Sequence, residues 1–179
     1  MTKNLRRDIY SGYFGFGFIL LMLAISVFRL IAKHTFTSPI GLLMHEVNSM
    51  HIPISALNTG QTNIVLTAFI IKTIATVFIC ISLLLACRYF LRGDFFIPAN
   101  VRYFKIASWS AFAYICGQFI EGMANNWVSA TEGIEHNALP NGVDDPTFIP
   151  LYILFMVLSM TSIAITRAVK LQEDQEGLI

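Results

Sequence analysis

The sequence predicts an all-α integral membrane protein, a four-transmembrane-helix bundle with both termini in the cytoplasm. Three observations lead to this prediction. The chain of 179 residues is 55% hydrophobic and only 13% charged, with a mean hydropathy of +0.64, a composition typical of multi-pass membrane proteins. Several apolar runs are long enough to cross the ~30 Å hydrocarbon core of a bilayer. Lysine and arginine concentrate on one side of those runs. The chain is expected to form a single membrane domain, 1–179.

The clearest predicted span is 64–86, a mostly apolar run in which Lys72 is the one charged residue. A helix over this range would be ~35 Å long, enough to cross the membrane. The segments between the spans are too polar to cross and are predicted as outer loops. Apolar residues at helical spacing predict a short amphipathic helix in the first loop, and the second loop is acidic. The other predicted spans are 13–31, 104–123 and 148–165, and the predicted outer loops are 33–63 and 124–147.

The distribution of positive charge predicts the orientation. Nine lysines and arginines flank the spans on one side, and only Arg29 and Lys33 lie on the other. Cytoplasmic ends of membrane spans carry an excess of these residues, so both termini are predicted to be cytoplasmic. The nine residues are Lys3, Arg6, Arg7, Arg88, Arg92, Arg102, Lys105, Arg167 and Lys170.

Lys72 falls inside the second predicted span and Glu121 inside the third. A lysine at mid-depth costs ~2.5–3.5 kcal/mol, so it should reach the interface or a partner group. At ~1.5 Å per residue, Lys72 lies ~12 Å and Glu121 ~5 Å below the outer ends of their spans. We therefore expect the two side chains to interact, with Gln118 and Arg29 nearby. In the alternative, Lys72 extends to the interface alone and Glu121 is a hydrated helix end.

Small and polar residues lie on one face of each predicted span, which is where transmembrane helices pack against each other. These faces predict where the helices of the bundle contact each other. Helix packing alone is sufficient to explain the small and polar residues, without a further function. The face of the second span contains Lys72, Thr76, Cys80 and Cys87, and that of the third contains Ser110, Tyr114, Gly117, Gln118 and Glu121.

The sequence offers little material for catalysis or cofactor binding. His45 and His51 follow the pattern H-E-x-x-x-x-H, which places the two imidazoles about 120° apart on a helix, unlike the H-E-x-x-H pattern of zinc proteases. A surface metal site involving His34 or His136 remains open. No histidine lies inside a predicted span to ligate a haem. We therefore expect no enzyme activity, no resident metal and no cofactor.

The connection between the second and third spans is short, basic and aromatic. Its sequence, from Leu91 to Ile106, resembles the corresponding stretch of the DUF2975 family of small bacterial four-span membrane proteins, and the charged ending 168–179 is similar to the ending of that family. A soluble protein or anionic lipid could bind such a surface, although its charges could also serve only to set the topology. The predicted partner surface comprises Arg92, Phe95, Phe96, Arg102 and Lys105.

The resemblance implies a regulatory role, because members of that family are often encoded beside a small helix-turn-helix repressor. It supplies no catalytic residues. The predicted function is that of a non-enzymatic, multi-pass protein of the bacterial inner membrane. It would act through protein contacts, as a regulatory partner or as an accessory subunit of a membrane assembly, without binding nucleic acid directly. The alternative is a small transporter or channel component, with several copies forming a pathway lined by Lys72, Gln118 and Glu121.

Overall fold

The computed structural model describes residues 3–33, 57–132 and 148–176, and nearly all of them are helical. The predicted all-α class is confirmed. The amphipathic helix predicted within 33–63 falls largely on residues outside the described ranges, as do the four histidines. The four helices are α1 (Lys3–Lys33), α2 (Thr59–Arg92), α3 (Pro98–Glu132) and α4 (Phe148–Glu176).

The helices pack in chain order, and α3 runs antiparallel to both α2 and α4. The contact between α2 and α3 is the most extensive, followed by α3 with α4 and α1 with α2. Near the start of α3, Ser108 shares a hydrogen bond of 2.6 Å with Ser159 in the middle of α4. A buried apolar cluster lies at the level of this bond, and Phe16 of α1 and Phe155 of α4 both pack against it. The cluster consists of Leu83, Ala107, Ala111 and Leu158.

Three of the four helices are long and apolar enough to cross a membrane: Asn4–Ala32, Thr59–Arg92 and Ile149–Gln175. Their length and composition indicate a membrane protein. The more polar α3 packs against both α2 and α4. Its polar side chains Ser108 and Gln118 are buried.

The helices extend beyond the predicted spans at several ends. α2 begins within the predicted loop 33–63, α3 continues through the first nine residues of the predicted loop 124–147, and α4 extends to Glu176. Hydropathy indicates where a chain crosses the hydrocarbon core, whereas a helix continues for as long as its backbone hydrogen bonds are satisfied. At the start of α2, a capping box formed by Asn58 and Gln61 satisfies them.

The connection between α2 and α3 is a compact turn. Gly93 adopts a left-handed backbone with φ of 91°, which a residue without Cβ adopts at little cost. The amides of Gly93 and Asp94 donate to the carbonyls of Phe90 and Tyr89, forming a Schellman motif that ends α2. α3 begins at Pro98, a residue favoured at the first position of a helix.

Candidate functional site

The buried charge pair between α2 and α3 is the most unusual feature of the described residues. The Lys72 side chain has no exposed surface, and its Nζ donates a hydrogen bond to Glu121 Oε2. The Glu121 side chain retains 22% of its surface exposed. The two residues that sequence reasoning paired are therefore in contact, and the cation is enclosed while the carboxylate reaches the protein surface.

The aliphatic stem of Lys72 crosses α3 at Gly117. A Cβ atom at that position would lie 2.8 Å from Lys72 Cγ and 3.2 Å from Ile71 Cγ2, so only glycine leaves room for the present packing. The Lys72 ammonium also lies 5.4 Å from the centre of the Tyr114 ring, whose negative face attracts cations. The carboxylate and the ring together compensate for the removal of the ammonium from water.

The other two residues predicted near this pair occupy different environments. Gln118 is buried on α3, one turn before Glu121. Arg29 is exposed on α1, and within the described residues it makes no ion pair with Glu121. The prediction that Arg29 lies near the pair stays a prediction.

A second polar contact joins the start of α2 to the end of α3. The sequence did not predict this contact. Gln61 is almost fully buried. Its Oε1 accepts a hydrogen bond of 3.0 Å from the Asn58 amide, and its Nε2 donates one of 2.7 Å to Thr131 Oγ1. The N-x-x-Q spacing of Asn58 and Gln61 resembles a capping box and could have predicted the start of α2. Nothing in the sequence indicated Thr131 as the partner on α3.

Four of the five residues of the predicted partner surface are exposed at the α2–α3 connection: Arg92, Phe96, Arg102 and Lys105. Phe95 is half-buried, because its ring stacks on Phe90 at a centroid distance of 5.1 Å. The Phe95 ring therefore packs against the end of α2, and less of it is available to contact a partner.

Asn100 fixes the shape of the connection. It is completely buried, and its Nδ2 donates hydrogen bonds of 2.8 and 2.9 Å to the carbonyls of Asp94 and Phe95. These bonds tie the turn to the first turn of α3. The exposed cations and Phe96 are thus held by an ordered piece of backbone.

Within the ranges 3–33, 57–132 and 148–176, no three His, Cys, Asp or Glu side chains are grouped to hold a metal ion. The metal site considered for His34 or His136 lies outside the described residues. No protein-family model, curated protein or solved structure matches this chain. The possible functions therefore follow from the charge pair between α2 and α3 and from the exposed connection.

Proposed function

We propose that the chain is a non-enzymatic, multi-pass protein of the bacterial inner membrane that acts through contacts with other proteins. It would serve as a regulatory partner or as an accessory subunit of a membrane assembly. The observation that carries this proposal is the α2–α3 connection, where exposed Arg92 and Phe96 lie on an ordered turn. An exposed aromatic ring beside cations suits a protein partner that offers an acidic face with an apolar contact at its centre.

In the proposed topology all four helices cross the membrane and both termini are cytoplasmic. Antiparallel packing brings the end of α2, the start of α3 and the end of α4 to the same end of the bundle. The proposed topology places the start of α1 there as well, and this end is here called the basic end. A concentration of exposed cations there supports a cytoplasmic position. These exposed residues are Arg6, Arg7, Arg88, Arg92, Arg102, Lys105, Arg167 and Lys170.

The proposed partner is a soluble cytoplasmic protein. The resemblance to the DUF2975 family suggests a small helix-turn-helix regulator, held at the membrane by the α2–α3 connection. Nucleic acid would then be bound by the partner and not by this chain. The number of copies in such an assembly is left open.

The pathway alternative receives less support from the charge pair. A transport pathway needs its charged groups to be reachable from water, whereas Lys72 is fully enclosed and paired with Glu121. Gln118 is buried as well. An enclosed charge pair is better suited to holding α2 against α3 than to lining a pathway for a solute.

Site-specific photo-crosslinking in living cells tests the proposal. A photoreactive amino acid at Phe96 is expected to capture a soluble cytoplasmic protein, identified by mass spectrometry, because the ring is exposed at the connection. The same amino acid at Met123, which is exposed near the other end of α3, should not capture it.

Charge reversal provides the matched control. Arg92→Glu should reduce crosslinking from position 96 at least fivefold, because it removes the attraction for an acidic partner face. Arg167→Glu changes another exposed cation of the basic end and should leave the crosslink intact. Capture of the same protein at positions 96 and 123, or insensitivity to Arg92→Glu, would contradict the proposal.

A further inference from the structure

An apolar groove with a cationic end runs along the surface shared by α2 and α3. Its volume is about 570 Å³. Phe78 of α2 and Ile106, Trp109, Ser110 and Ala113 of α3 form its walls. Arg102 and Lys105 line the end nearest the α2–α3 connection. The charge pair of Lys72 and Glu121 does not line this groove, which is a separate feature.

The two cations of the groove are placed to bind an anion. Arg102 and Lys105 are three residues apart on α3, so their side chains project from neighbouring positions on the same face. Both are exposed. In the part of the chain that the structure describes, neither forms an ion pair with a carboxylate. An anion bound between them would relieve the repulsion of the like charges.

The rest of the groove suits a hydrocarbon chain. Phe78, Ile106 and Trp109 are each between 43% and 64% exposed, so they offer a broad apolar surface. Ser110 supplies the single hydroxyl among the lining side chains. A peptide would leave its backbone amides and carbonyls without partners on such a surface, which is costly. An acyl chain carries no such groups.

The length of the groove matches one leaflet of a bilayer. Eleven residues separate Arg102 from Ala113 in the helix, which corresponds to ~16 Å along its axis. This is about half of the ~30 Å hydrocarbon core. With the basic end at the cytoplasmic surface, the cations would lie at the level of the inner-leaflet headgroups, and the apolar walls would follow the acyl chain inward.

We propose that this groove binds one anionic phospholipid. Arg102 and Lys105 bind the headgroup, and Phe78, Ile106 and Trp109 contact one acyl chain. Basic pockets on the cytoplasmic side of membrane helices are suited to anionic headgroups. This assignment divides the predicted partner surface. Arg92 and Phe96 remain available to a protein, whereas Arg102 and Lys105 face a lipid. The experiment that tests the lipid site uses the purified chain alone, so its outcome is independent of whether a protein partner exists.

Tryptophan quenching by brominated lipids tests this proposal directly. The chain has only two tryptophans, Trp109 in the groove and Trp127 near the other end of α3. A Trp127→Phe variant in bilayers therefore reports Trp109 alone, and a Trp109→Phe variant reports the background. Brominated phosphatidylglycerol should quench Trp109 with an apparent preference on the order of tenfold over brominated phosphatidylcholine, since two cations contact the headgroup.

Variants at the cationic end determine whether the preference belongs to this groove. In the Trp127→Phe background, Arg102→Gln with Lys105→Gln should reduce the preference to near unity with unchanged helix content. The charge-conserving exchange Arg102→Lys with Lys105→Arg should retain it. The matched control, Arg167→Gln with Lys170→Gln, removes two exposed cations from α4 and should also retain it.

Four outcomes would overturn the proposal. Equal quenching by the two lipids would remove the headgroup preference on which it rests. Retention of the preference without Arg102 and Lys105 would place the binding elsewhere. Loss of the preference in the α4 control would assign it to the overall charge of the basic end. Absence of quenching by either lipid would mean that no acyl chain lies against Trp109 in the groove.

Discussion

Replacing Glu121 with leucine is expected to destabilise the protein by about 3–5 kcal/mol, the cost of leaving a buried charge without its partner. The reason is the complete enclosure of Lys72, whose ammonium would lose its carboxylate partner while remaining buried beside the Tyr114 ring. Lys72→Met should cost less, about 1–3 kcal/mol, because the remaining Glu121 carboxylate is partly exposed and can be hydrated. The free energy of unfolding can be measured by titrating SDS into detergent micelles and following helix content.

The double variant provides the control for this prediction. Lys72→Met combined with Glu121→Leu removes both charges and should return stability to within ~1 kcal/mol of the unmodified chain. The charge exchange Lys72→Glu with Glu121→Lys should recover less, because it places a carboxylate beside the negative face of Tyr114. If both single changes were neutral, or if the double variant were no better than Glu121→Leu, the pair would not hold α2 to α3.

The second large effect is expected at Gly117. Gly117→Leu should separate α2 from α3 and destabilise the protein by about 3 kcal/mol or more, and Gly117→Ala by about 1–3 kcal/mol. Even a Cβ there would lie 2.8 Å from Lys72 Cγ, and that atom is too near the backbone of α2 to move freely. A larger side chain would therefore push away the lysine stem and weaken its contact with Glu121. The same SDS titration measures both changes.

A glycine in open space supplies the matched control. Gly15 also lies inside a membrane helix, and a Cβ at that position would meet nothing within 4 Å. Gly15→Ala should therefore be neutral or slightly stabilising, since alanine has the higher helix propensity. If Gly117→Ala behaved like Gly15→Ala, the close approach of Lys72 to α3 would not limit the packing of these helices.

The helical class and the charge pair could be predicted from the sequence because the physical constraint behind each is visible within the apolar runs. Long apolar runs have few structural solutions in a membrane, and a lysine among them requires compensation. The turn at Gly93 was predictable as well, since glycine is favoured where a helix ends in the left-handed conformation. In each case the sequence itself contains the constraint.

Other features depended on contacts that the sequence does not specify. The helix ends at Thr59 and Glu132 lie outside the apolar runs, and the hydrogen bond from Gln61 to Thr131 depends on how α2 and α3 align. The position of Arg29 depends on which neighbour α1 packs against. Hydropathy also does not reveal that Phe78 and Trp109 share a groove, because they lie on different helices.

The most direct test of this account is whether α3 crosses the membrane with the α2–α3 connection in the cytoplasm. Cysteine can be placed at Phe96, before α3, and separately at Ala130, near its end, after replacement of native Cys80, Cys87 and Cys116. Both test positions are exposed. Labelling of intact cells with an impermeant maleimide should modify the cysteine at 130 and leave that at 96 unlabelled until the membrane is opened. Labelling of 96 from outside, or of both positions from the same side, would contradict the account.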